Sequence, residues 1–279
     1  MTTNPRFVIL SWHSIRVLEN RYADNDLIAF GEDLVTLDAL GWTVLPLSDA
    51  LAGLAVGNLP DKVAVLTADD GSIMDFEPFD HPTCGLQNSL GQRLHEFRET
   101  LPADSRHRPH VSAFAIASPE VRVELDRTDY MSLNVWRDDW WAEANATGLI
   151  SIESHSWDHN HGSLERTVQR DNRRGDFRFI ETEAECRAEV DQASDYIERK
   201  AGRRPQFFAY PYGQASDYIR QEYLPRRGPA LGLKAALACD PEPVTAQSDP
   251  WHLPRYMFAR DWKEPGDLAR LLADAQAQG

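Results

Sequence analysis

Cysteine is scarce in this chain of 279 residues: Cys84, Cys186 and Cys239 stand far apart and form no C-x-x-C pair. That excludes a disulfide framework and a thiolate zinc site, and it leaves the three as small buried apolar side chains. Positive charge is short as well. Lys and Arg number 29 against 44 Asp and Glu, for a net charge of -15. Nucleic acid and anionic membrane surfaces demand a concentrated positive field, so neither is expected as a partner; a neutral or cationic substrate is easier to accommodate. No apolar run approaches the length that crosses a bilayer. The run Phe7-Val8-Ile9-Leu10 ends at Ser11, too soon for the apolar centre of a secretory signal. The expectation is a cytoplasmic protein without a membrane span, its oligomeric state unspecified. No stretch is rich enough in Pro, Gly or Ser to divide the chain, so a single catalytic domain over residues 1-279 is expected.

What is present is a large apolar complement, 42% of residues, distributed in alternating short strands and amphipathic helices. Phe7 to Leu10 reads as a first buried strand, ending in Ser11-Trp12-His13. Leu27, Phe30, Leu34, Leu37 and Leu40 recur at helical spacing, with Gly41 as the stop. Trp42 to Leu47 reads as a strand, and Ser48 as the cap of a helix over 49–56. Val63 to Leu66 is a strand that runs out into Thr67-Ala68-Asp69-Asp70-Gly71. Further strands are expected at 111–117, 149–154, 206–210, 233–238 and 253–258, with helices at 90–101, 138–148, after Thr182 and at 265–277. Thr182 with Glu185 makes a capping box. This rhythm is that of parallel βαβ units. A polar, Arg-rich segment at 160–181 interrupts it, either as a lid or as a solvated insertion.

The chemistry gathers at the strand ends, where α/β folds keep it. Asp69 and Asp70 are adjacent on an emerging strand and so point in different directions, which allows one to hold a metal while the other faces water or substrate. His155-Ser156-Trp157-Asp158-His159 puts two imidazoles four residues apart directly after another strand, close enough to share one ion. A carboxylate from a different strand end would complete three protein ligands and leave positions open for water and substrate.

Taken in order, Thr67-Ala68-Asp69-Asp70-Gly71, His155 to His159 and Ala209-Tyr210-Pro211-Tyr212-Gly213 resemble the first three motifs of the polysaccharide deacetylases (carbohydrate esterase family 4, the NodB homology domain). The resemblance implies an irregular, incompletely closed (β/α) barrel. It also implies a metal-dependent hydrolase that removes an acetyl group from an N-acetylated amino sugar or its polymer by attack of a metal-activated water. Asp70, His155 and His159 would hold the divalent metal, usually Zn2+, and Asp69 would be the general base. The Tyr212 backbone N–H would meet the oxyanion, with Pro211 and Trp251 beside the substrate. Ala209 stands where the family has an arginine that orients the base; Arg255 is the candidate to supply it from another strand. The family's general acid lacks a plain match, and His252, His13 and His161 are candidates in that order. The Leu253-Pro254-Arg255 element, His13 and the 208–213 run look most like the branch acting on poly-β-1,6-N-acetylglucosamine. Two other readings stay open: hydrolysis of another C–N bond, as in a cyclic imide or ureide, and a sugar-binding relative that has lost turnover.

Overall fold

The computed structural model, which describes residues 5–277, alternates strand and helix from the start. In order come β1 (Arg6–Trp12), α1 (Asp26–Ala39), β2 (Thr43–Val44), α2 (Leu47–Ala55) and β3 (Val63–Ala68). A hairpin of β4 (Phe79–His81) and β5 (Gly85–Gln87) precedes α3 (Leu90–Thr100), β6 (Val111–Ala115), α4 (Pro119–Asp129), α5 (Trp141–Thr147) and β7 (Ile150–Ser154). Beyond an irregular stretch follow α6 (Glu183–Cys186), a π-turn (Arg187–Gln192), α7 (Ala193–Ala201) and β8 (Phe207–Ala209). A second π-turn (Tyr218–Tyr223) leads into α8 (Leu224–Leu231), β9 (Ala235–Leu237), β10 (Val244–Thr245), β11 (Tyr256–Met257) and α9 (Pro265–Ala277).

The main sheet runs β10-β1-β3-β6-β7-β8-β9, with β11 added to β1 and β2 to β3. All of its pairings are parallel except β1 with β10. Side chains alternate across each strand, so one set lines the concave inside and the other meets the helices. Phe7, Ile9, Val63, Val65, Phe114 and Phe207 fill the inside. Val8, Leu10, Ala64, Leu66 and Ala68 face outward onto Leu27, Phe30, Leu34 and Leu94 of the covering helices. The two edges approach each other through one short stretch: Leu253 bridges to Leu237 of β9, and Tyr256 pairs with Leu10 of β1. That contact closes the curl only in part, giving the irregular, incompletely closed (β/α) barrel expected. No helix among the described residues is long and apolar enough to cross a membrane.

Local differences from the sequence reading have local causes. α2 starts two residues before the expected helix, behind Pro46, so Ser48 lies inside the helix and caps nothing. The helix expected from Asp138 begins at Trp141, because Asp138 accepts hydrogen bonds from Arg122 and Tyr196 in the loop before it. The last strand shrinks to Tyr256–Met257, since Leu253 and Tyr256 serve different edges of the sheet. The Thr182/Glu185 capping box is present with both of its bonds.

Candidate active site

Above the apolar filling, the inward positions of the strands turn polar. Ser11, Thr67 and Asp69 succeed Ile9 and Val65, and all three are buried. Asp69 is 3% exposed, a place where a lone carboxylate would protonate. It keeps its charge through Arg255, itself fully buried, whose two terminal nitrogens reach the two carboxylate oxygens at 2.7 and 3.0 Å. Burial raises the Asp69 pKa, but the charges of Arg255 and His155 outweigh it and hold the value at about 2. Arg255 is fixed in turn by donating to the Ala238 carbonyl at 2.8 Å. It enters the interior because it sits between Leu253 and Tyr256, in the stretch that joins the barrel edges.

The next residue turns away. Asp70 has φ 77 and is followed by Gly71 at φ 74, a tight exit from β3 that presents the Asp70 carboxylate to the open side. Gly71 is required, because a Cβ there would lie 2.5 Å from the Ala115 Cβ. β7 delivers His155, whose ring is fixed by its Nδ1 at 2.9 Å from the Ala209 carbonyl. A carbonyl only accepts, so Nδ1 donates to it and Nε2 is the ring atom turned toward Asp70. That Nε2 lies 3.8 Å from Asp70 Oδ1, and so does the Nε2 of His159. The three side chains offer donor atoms that all lie within 4.8 Å of one another. Donors on arms of about 2.1 Å stand roughly 3.4 Å apart around a tetrahedral ion, so this set of one carboxylate and two imidazoles fits a divalent metal.

The remaining sequence candidates separate. His13 lies close enough to Asp69 and His159 to enter the electrostatics of both. Its backbone N–H donates to buried Asp26 at 2.7 Å. His252 instead holds Asp240 at 2.9 Å through Nε2, and no hydrogen bond or ion pair joins it to Asp69, Asp70, His155 or His159. His161 tilts against His159 with ring centroids 5.4 Å apart. Pro211 is buried, and Tyr212, at φ 58, lays its ring edge-on to His159 at 4.6 Å. Trp251 is half-buried. Its indole lies so close to α8 that a Cβ on Gly228 would be 2.5 Å from it.

Residues 160–181 are tied down. Asn160, fully buried, donates through Nδ2 to the carbonyls of Arg173 and Asp176 at 2.9 Å and accepts from Thr167 Oγ1 at 2.7 Å. Asp158 accepts the Val168 N–H at 2.6 Å.

Three residues near the site escape the sequence reading. Asp75, on the turn after Gly71, is wholly buried; burial, partly offset by the Ser14 hydroxyl and reinforced by the charges of Asp70 and Asp69, pushes its pKa to about 8. Tyr130 brings its phenol within reach of the Asp70 and Asp26 charges, which add to burial in raising its pKa. Glu189 reaches under the histidine loop from the first π-turn, its pKa driven well up by burial and by the charge of Asp158. It could have been found from spacing, since it shares the apolar helix face of Cys186 and Ala193.

Three comparisons with known proteins bear on this arrangement. A family model described as polysaccharide deacetylase matches residues 56–224. No curated protein matches the chain in sequence. Among solved structures, the Streptococcus pyogenes deacetylase PplD in complex with acetate aligns at TM-score 0.65 and 17% identity, over 97% of this chain and 99% of that one. IcaB from Ammonifex degensii aligns at TM-score 0.65 and 18% identity, over 98% of each chain. The BpsB deacetylase domain from Bordetella bronchiseptica aligns at TM-score 0.59 and 17% identity, over 91% of this chain and 96% of that one. At such identities the likeness carries the fold.

Proposed function

The chain belongs to the polysaccharide deacetylase family, and from that premise we propose that it is a metal-dependent hydrolase of N-acetylated amino sugars or their polymers. The observation that carries the reading is a division of labour between neighbours: Asp69 is locked as a carboxylate by Arg255, while Asp70 faces the Nε2 atoms of His155 and His159. Asp70, His155 and His159 would hold the metal, most simply Zn2+. When bound, it would make a water more acidic and polarise the acyl carbonyl.

Every other step falls to the chain's own residues. Asp69 takes the proton of the attacking water, its unbound oxygen lone pairs being available because Arg255 occupies only the two N–H-facing positions. The Tyr212 N–H meets the oxyanion of the tetrahedral intermediate. His13 gives a proton to the departing amine; its electrostatic reach to Asp69 and His159, against the attachment of His252 to Asp240, favours it for this role. Membership of the polysaccharide deacetylase family supports a polymeric substrate, and the first to try is an oligomer of β-1,6-linked N-acetylglucosamine.

The test is acetate release from β-1,6- and β-1,4-linked N-acetylglucosamine oligomers by zinc-loaded, chelator-treated and Asp69→Asn protein. We expect turnover by the loaded chain alone, with a loss of about 10²–10⁴-fold in Asp69→Asn. Equal rates with and without metal, or full activity of Asp69→Asn, would end the proposal.

A further inference from the structure

The loop that carries His159 is held in a costly backbone shape. Ser156, His159 and Asn160 have φ of 70, 64 and 43, left-handed values at three residues none of which is glycine. Two bonds within the loop support that shape: Ser156 Oγ accepts the His159 N–H at 2.9 Å and Asp158 Oδ1 accepts the Asn160 N–H at 2.8 Å. The third support comes from outside. Glu189, 0% exposed, accepts the N–H groups of Trp157 and Asp158 through Oε2 at 2.9 and 3.2 Å.

These two amides lie between the left-handed residues, so a single carboxyl oxygen fixes the peptide planes on which the direction of His159 depends. The place of Glu189 is itself unusual. It lies in the π-turn Arg187–Gln192, where an inserted residue widens the helix, and such turns gather at functional sites. An acid buried on an apolar helix face is expensive unless it has a task.

We propose that Glu189 is a positioning residue for the metal site, setting the 156–160 loop so that His159 Nε2 faces Asp70 before any metal arrives. The proposal rests on the reading that Asp70, His155 and His159 hold a metal. Residues that orient ligands from behind commonly change metal affinity ten- to a hundredfold when removed.

The experiment uses the full chain and reads zinc affinity by competition with a coloured chelator. Glu189→Ala is expected to weaken zinc binding by about ten- to a hundredfold. Glu189→Gln, whose amide oxygen still accepts both N–H groups, is expected to restore most of it. Hydrogen exchange on the metal-free wild type supplies a readout that needs no variant: the amides of Trp157 and Asp158 are expected to be protected already without zinc. A folded Glu189→Ala chain with wild-type affinity overturns the assignment. So do amides that exchange freely until zinc is added, because the metal would then be shaping the loop. A wild-type chain that takes up no zinc overturns the metal reading as well, whereas tight wild-type binding with an unaffected Ala variant overturns the role of Glu189 alone.

Discussion

Asp69 illustrates how a buried group is kept in the state its task needs. Its native pKa of about 2 lies below the ordinary carboxylate value. The pair with Arg255 therefore adds stability that is complete above about pH 4 and is lost as the pH falls through about 2. Arg255→Met leaves the carboxylate buried without its cation, which costs about 3–5 kcal/mol at pH 7. With its main counterweight to burial gone, the Asp69 pKa climbs, and the acid limb of the kcat/KM profile moves up by more than about one pH unit. An unmoved limb would remove Arg255 from the mechanism. Asp75 works in the opposite sense. Its native pKa of about 8 lies above that of the unfolded chain, so it keeps a proton that the unfolded chain gives up. Stability then falls as the pH rises from about 4 to about 8. Asp75→Asn abolishes that slope, and urea unfolding should find the variant no more stable at pH 4 but more stable by about 5 kcal/mol at pH 8.

At the scale of elements, the exit from β3 is the tightest point of the site. Gly71→Ala would bring a Cβ within 2.5 Å of the Ala115 Cβ at a φ of 74, so β6 has to move and Asp70 moves with it. The expected cost is about 2–4 kcal/mol in chemical unfolding, with weaker zinc uptake by the variant. The strand-end motifs were legible in the sequence because each is a local event, an apolar run giving way to polar residues at one point of the chain. β3 into Asp69-Asp70 and β7 into His155 are both of this kind. Arg255 was legible as a candidate, but its bidentate grip depends on two barrel edges meeting, which no window of residues records. His252 looked promising by chain position and was diverted by Asp240, a partner that only the return of the chain after β9 supplies. Tyr130 has no periodic or motif signal at all; it arrives because the loop after α4 folds back, with the Ile73 N–H donating to the Val135 carbonyl.

For the molecule as a whole, the net charge of -15 surrounds a site in which the buried Arg255 is already matched by Asp69. Such a field attracts amine-bearing sugars more than neutral ones, and salt screens the attraction. Raising the ionic strength from about 10 to 150 mM should therefore lower kcat/KM several-fold for partly deacetylated oligomers and leave fully acetylated ones nearly unchanged. Equal salt response for both would show that the field plays no part.

The stretch from Leu253 to Tyr256 that links the two sheet edges also has a consequence in time. Asp69 and the guanidinium that keeps it ionised are 186 residues apart. On the ribosome the first appears long before the second, and at about 5–20 residues per second the interval lasts roughly ten seconds or more. For the last part of that interval, once His159 has been made, the growing polypeptide holds Asp70, His155 and His159 but not the cation beside Asp69, so on the proposed reading it becomes competent only when its last strand docks.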